Sequence, residues 1–341
     1  MLYFCKLKRL FANGRNRIML YPLKFKPLFF EKIWGGHRIE KILGREGNTY
    51  TKCGESWELS GIEGNESEVA EGPLAQNLLT ELQEIYMGDL VGEKVFDTYG
   101  NAFPLLIKFI DAQEVLSVQV HPDDLLARKR HLPNGKTEMW YVLEAEEGAG
   151  LYIGFQKGVT KQDYMRAIAD GTIDTLLAFY PVKKGDCFFI PAGTVHAIGK
   201  GVLLAEIQQS SDITYRIFDW NRVDNEGKPR SLHLAEAEDA IHFTDNTNFF
   251  VNYHLVRNQT IPLVNCKQFV VNVLEFDKIV EKVFAKVDSF VVYICLEGRM
   301  RILCEENVIC LQKGETVLIP AIITDVQLVP TDVVKVLECY L

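Results

Sequence analysis

The sequence predicts a mainly β protein: two small jelly-roll barrels with small helical insertions. Three observations carry that expectation. Short runs rich in β-formers alternate or stay wholly apolar, as in Leu116-Ser-Val-Gln-Val-His121 and Met139-Trp-Tyr-Val-Leu143. Tight turns of the form Pro191-Ala-Gly193 punctuate them. One strand–turn unit occurs twice, as Val182-Lys-Lys-Gly-Asp-Cys-Phe-Phe-Ile-Pro-Ala192 and as Leu311-Gln-Lys-Gly-Glu-Thr-Val-Leu-Ile-Pro-Ala321, which points to a duplicated barrel.

The bulk properties narrow the class. A chain of 341 residues can hold two ordinary cores. A hydrophobic content of 48% and a charged content of 24% are those of a soluble globular protein. Net charge −9 and a pI near 5.4 argue against a general nucleic-acid binder, which needs a basic face. The eight cysteines (Cys5, Cys53, Cys187, Cys266, Cys295, Cys304, Cys310, Cys339) form no C-x-x-C pair and read as reduced residues of a cytoplasmic protein. No apolar stretch approaches the ~20 residues of a membrane span, so no membrane partner is expected.

Taken in chain order, residues 1–18 carry five basic residues and no acid, without the apolar core of a secretory signal. They are expected to form an extension with little structure, upstream of a natural start at Met19. Residues 20–60 read as short strands and turns, marked by Ile33-Trp-Gly-Gly36 and Gly54-Glu-Ser-Trp-Glu58. From about Leu74 to Val95 the apolar spacing turns helical, through Leu78, Leu79, Leu82, Ile85 and Tyr86. Thr160-Lys-Gln-Asp163 resembles a capping box with Asp in place of Glu, and Gly171 marks the helix end. A further helix is expected over Ala235–Ile241, and a strand-rich section from about Asn248.

Within this frame a few polar side chains recur at strand spacing. Gln119 and His121 lie two apart and share one strand face. Glu138 opens the next apolar run. The run Cys187-Phe-Phe-Ile190 ends at a Pro-x-Gly turn that hands the chain to His196. The pattern Gly, five residues, Pro-x-Gly, two residues, His resembles the second motif of the cupin superfamily, so the two barrels are expected to be cupin-like. Two imidazoles, a carboxylate and an amide suit a divalent ion, Zn²⁺ above all, with Mn²⁺, Fe²⁺ and Ni²⁺ also compatible. In the second copy Asp325 stands where His196 aligns, so metal binding is assigned to the first barrel. The expected domains are therefore 1–18 (extension), 19–242 (metal-binding, with helical insertions) and 243–341 (degenerate barrel without ligands).

Two basic residues sharpen the reading. On an extended segment Lys136 shares a face with Glu138, and Arg216 lies in Thr214-Tyr-Arg-Ile-Phe-Asp-Trp220. Arginine suits a phosphate or a developing enediolate, though Arg216 could instead pair with Asp219 or Asp212. Together with Phe103–Ala112, Leu116–Asp124, Gly135–Trp140, Pro191–Ala197 and Tyr215–Trp220, these pieces resemble the type I mannose-6-phosphate isomerase family, in its shorter bacterial form. The resemblance implies one Zn²⁺ per chain held by Gln119, His121, Glu138 and His196. It also implies interconversion of mannose 6-phosphate and fructose 6-phosphate through a cis-enediolate, with a sugar phosphate as the small-molecule partner. Arg216 aligns with the family's catalytic arginine, Ser117 and Lys136 with pocket residues that contact substrate, and Glu206 lies on a neighbouring matching strand. Glu206, Lys136 and a metal-bound hydroxide remain alternatives for the proton-transferring base. The competing functions are a cupin dioxygenase, which gives Lys136 and Arg216 no task, and a non-catalytic sugar-phosphate binder.

Sixteen residues separate His121 from Glu138, which interrupts the first motif. His131, within that insertion, reads as a solvated loop residue. His37, His233, His242 and His254 have no partner spacing and read as structural or surface residues.

Overall fold

Leu105–Ala112, Glu138–Ala145 and Val202–Gln209, buried over most of their length, form the centre of a six-stranded sheet. Its order is Cys187–Ile190, Glu138–Ala145, Val202–Gln209, Leu105–Ala112, Cys53–Leu59, Leu28–Gly36. Near-continuous apolar runs are what a strand covered on both faces requires. In this computed structural model the described residues are 11–12, 16–45, 49–223, 226–243, 248–305 and 307–341.

A second, five-stranded sheet runs Leu177–Pro181, Gly150–Phe155, His196–Ile198, Val118–Val120, Tyr215–Phe218, with antiparallel ladders. The two sheets share a core in which Ile110, Trp140, Val142 and Leu204 of the first meet Leu151, Ile153 and Ile198 of the second. Each such fully buried side chain contributes roughly 1.5–3 kcal/mol of transfer free energy.

The C-terminal strands repeat the plan. One sheet orders Gln259–Asn265, Val270–Phe276, Val334–Tyr340, Val291–Glu297, Thr316–Ile319 and Leu23–Lys24; the other orders Val280–Val283, Asp325–Pro330, Arg299–Cys304 and Asn307–Gln312. Phe276, Tyr293, Met300, Leu328 and Val336 fill the core between them. The mainly β, two-jelly-roll expectation is met with one correction. Each pair is two separate sheets over a common core, with no ladder closing them into a barrel among the described residues.

Register makes the repeat stronger than its sequence suggests. Phe188 pairs with Trp140, and the aligned Val317 pairs with Tyr293. Trp140 in turn pairs with Glu206, and Tyr293 with Glu338. Glu338 is therefore the counterpart of Glu206.

The contact units are interleaved where a single cut after residue 242 is the sequence expectation. One comprises Phe29–Trp57 and Leu105–Asn252; the other draws its described residues from Met1–Leu28, Glu58–Pro104 and Tyr253–Leu341. Of the extension, residues 1–10 and 13–15 lie outside the described residues, while Phe11–Ala12 pairs with Asn16–Arg17. The helical stretch is three short helices, Leu79–Tyr86, Gly88–Val91 and Glu93–Tyr99. The Thr160 capping box forms and Gly171 ends that helix in the left-handed region. No helix of the described residues is long and apolar enough to cross a membrane.

Candidate metal centre and active site

Cross-strand pairing assembles the centre. His196 stands opposite Gln119, and Gln119 opposite Arg216, so these three neighbours look to one side of the five-stranded sheet. Ser117 and His121 alternate with Gln119 along the same extended segment, and both are buried. Glu138 comes from the other sheet, between Ile190 and Gln208.

The turn before His196 is held on both sides. Gly193 N donates to the His121 carbonyl, and the Gly193 carbonyl accepts from His242 N, each at 2.9 Å. Gly193 has φ 84°, and a Cβ there would lie 2.5 Å from His242 Nδ1. Only glycine fits this bend without displacing a neighbour.

His121, Glu138 and His196 are buried, and their ligand atoms lie within 4.8 Å of one another. His196 Nε2 is 3.3 Å from Glu138 Oε1, and His121 Nε2 is 3.6 Å from Oε2. Ligand atoms held ~2.0–2.2 Å from a tetrahedral ion stand roughly 3.3–3.6 Å apart, so these separations fit one cation. Each imidazole directs Nδ1 at a backbone carbonyl, His121 to Ile213 at 2.7 Å and His196 to Thr194 at 2.9 Å. That leaves the Nε2 lone pairs facing the centre. Gln119 Nε2 lies 3.4 Å from His196 Nε2, and half a turn of the amide offers its oxygen instead.

Burial favours the ligand forms of the imidazoles. Burial, with Lys136 and His196 adding to it, pushes His121 well below the usual histidine range, and burial lowers His196 to about 4. Burial raises Glu138 to about 7 against the pull of Lys136. Lys136 Nζ stands 3.1 Å from Glu138 Oε2 and 3.0 Å from His121 Nε2. Glu138 Oε1 receives no hydrogen bond, so the centre has spare acceptor capacity where a cation is wanted.

A buried charge chain runs behind the centre. Glu206 Oε2 accepts the Trp140 indole N–H at 3.0 Å, and Oε1 lies 3.4 Å from Lys108 Nζ. Lys108 continues to Glu55 at 3.6 Å, and Glu55 to Lys32 at 3.1 Å. Burial opposes the charge on Glu55, yet Lys108, Lys32 and the Trp57 indole hold it at about 2. Lys108 and its link to Glu206 escaped the sequence reading. The available signal was a lone lysine inside Leu105-Leu-Ile-Lys-Phe-Ile110.

Arg216 pairs with neither Asp212 nor Asp219. Its Nη1 donates to the Ser231 carbonyl at 2.8 Å, while Arg222 and Arg230 both clamp Asp219. Its buried Nε has no hydrogen-bond partner. His233 Nδ1 accepts from Arg216 N at 3.1 Å, a structural use of that histidine. His131 is exposed, as expected of a loop residue.

Comparison with known proteins identifies the relatives of this chain. Residues 23–149 match the family described as phosphomannose isomerase type I, catalytic domain. The chain is 35% identical over 303 residues to the mannose-6-phosphate isomerase of Streptococcus mutans, covering 89% of this chain and 93% of that one. It is 35% identical over 307 residues to the mannose-6-phosphate isomerase ManA of Bacillus subtilis, covering 88% and 93%. The crystal structure of a Bacillus subtilis mannose 6-phosphate isomerase superposes with TM-score 0.83 at 30% identity, covering 94% of this chain and all of that one.

Proposed function

The chain belongs to the type I phosphomannose isomerase family, and from that premise we propose that it interconverts mannose 6-phosphate and fructose 6-phosphate. The observation that carries the reading is the buried His121–Glu138–His196 cluster, whose carboxylate keeps Oε1 free of hydrogen-bond donors and whose flank holds Lys136. Gln119, His121, Glu138 and His196 would hold one Zn²⁺ per chain, the ion best suited to two imidazoles and two oxygens. Bound there, the ion supplies Lewis-acid polarisation of the sugar oxygens.

The chain's own groups do the rest. Aldose-to-ketose conversion removes a proton from C2 and returns one to C1, with a cis-enediolate between. We assign proton acceptance to Glu206, whose Oε1 receives no hydrogen bond while Trp140 and Lys108 fix the carboxyl. Lys136 and Arg216 supply positive charge to the anion, which is most effective where water is scarce. Ser117, buried on the face of Gln119 and His121, is assigned to substrate contact. The buried thiols of Cys187, Cys295, Cys304 and Cys339 are free, which suits the cytoplasm.

The test is direct. Purified protein given mannose 6-phosphate should yield fructose 6-phosphate, lose that activity to a chelator and regain it with Zn²⁺. No turnover by metal-loaded protein would refute the assignment.

A further inference from the structure

The sixteen residues between His121 and Glu138 have no counterpart in the ligand pattern, yet they deliver Lys136. Their helix, Asp124–Lys129, was not expected from the sequence. Lys136 itself lies on irregular backbone, so no strand ladder sets its position.

Other bonds set it. Asp124 Oδ1 accepts from Gly135 N at 3.0 Å and from Gln209 Nε2 at 2.8 Å. Gln209 Oε1 accepts from Thr137 N at 2.9 Å, and Lys136 N donates to the Pro122 carbonyl at 3.0 Å. All three backbone amides from 135 to 137 are therefore held. Gly135 also presses on the start of the helix, where a Cβ would lie 2.6 Å from Asp124 N. Gln209 is buried, and its whole amide is committed to this task.

We propose that Asp124 and Gln209 are positioning residues that act through Lys136, locking its backbone so that Nζ reaches Glu138 and His121. The inference rests on the role assigned to Lys136 above. An ångström of misplacement at such a group costs up to about a hundredfold in rate. Asp124→Ala is expected to lower kcat ten- to a hundredfold, with KM and metal content unchanged. Asp124→Asn, which keeps an acceptor for Gly135 N, should stay within about threefold of wild type. In a Lys136→Ala background, Asp124→Ala should change kcat less than twofold, because the group it positions is gone.

Gln209→Met gives a second, independent reading of the same pattern should Asp124→Ala fold poorly. Equal losses in both backgrounds would overturn the proposal, since the residues would then act on the fold at large. So would wild-type kcat in Asp124→Ala and Gln209→Met when Lys136→Ala is impaired. Wild-type kcat in Lys136→Ala would instead refute the Lys136 assignment, and this inference with it.

Discussion

The indole of Trp140 donates to Glu206 at 3.0 Å on the neighbouring strand, and its ring meets His196 edge-on with centroids 5.3 Å apart. One side chain thus touches both the carboxylate assigned to proton transfer and a proposed metal ligand. Removing the donor with Trp140→Phe keeps most of the packing and forfeits one hydrogen bond to a charged group, about 1.5–3 kcal/mol. Steady-state kinetics should show kcat reduced ten- to a hundredfold, with metal analysis still giving one ion per chain.

Arg216 is expected to act on the transition state more than on the bound sugar. Losing one charge-stabilising donor costs about 10²–10³ in kcat. Arg216→Ala should show that loss with a smaller change in KM. Near-wild-type kcat would remove the residue from its role.

Metal occupancy is expected to stabilise the folded chain. A ligand at a hundred times its Kd adds about 2.7 kcal/mol. Chelation should lower the melting temperature of the wild type measurably, and leave that of His196→Ala almost unmoved. Calorimetry with and without chelator makes the comparison.

Acid stability should report on Glu55. Its carboxyl is held at about 2 in the folded chain against an ordinary 4.5. A depressed folded pKa gives stability that is present above about 4.5 and lost as pH falls towards 2. The shift is worth on the order of 3 kcal/mol. Lys108, held above its ordinary value by Glu55 and Glu206 against the effect of burial, contributes fully below pH 10.5 and loses its share above it. Urea titrations from pH 2 to 6 should show a steep loss that Glu55→Gln flattens.

In the C-terminal strands, Glu338 is buried with Tyr293 Oη at 2.7 Å, Asn272 Nδ2 at 3.1 Å and Lys282 Nζ at 2.7 Å. Breaking a buried pair leaves an uncompensated charge and costs about 3–5 kcal/mol. Lys282→Met should lower urea stability by roughly 3 kcal/mol. It should leave kcat at low denaturant unchanged, because the residue lies in the copy to which no ligand is assigned.

Much of the centre was legible because strand geometry converts spacing into direction. Gln119 and His121 had to share a face, and the Gly185-to-His196 pattern could be read as strand, turn and ligand. Convergence of the two sheets could not be read this way, since pairing such as Glu138 with Gln208 joins residues far apart in the chain. Lys108 and Glu55 stayed hidden for a related reason: a charge inside an apolar strand reveals its partner only in three dimensions. The repeat shows what register adds. The strand equivalent to that of Trp140 is fixed only by the ladders, which match Trp140 to Tyr293.

The interleaving of the two units bears on how the polypeptide emerges from the ribosome. Everything in the Phe29–Trp57 and Leu105–Asn252 unit, the proposed ligands included, has been synthesised once residue 252 has been added. Leu23–Lys24 must wait much longer, because its partner strand is Thr316–Ile319. That unit can thus mature on the nascent chain while Leu23–Lys24 still lacks its partner strand, and a stop codon near residue 300 would spare the proposed site residues but leave Leu23–Lys24 without that strand.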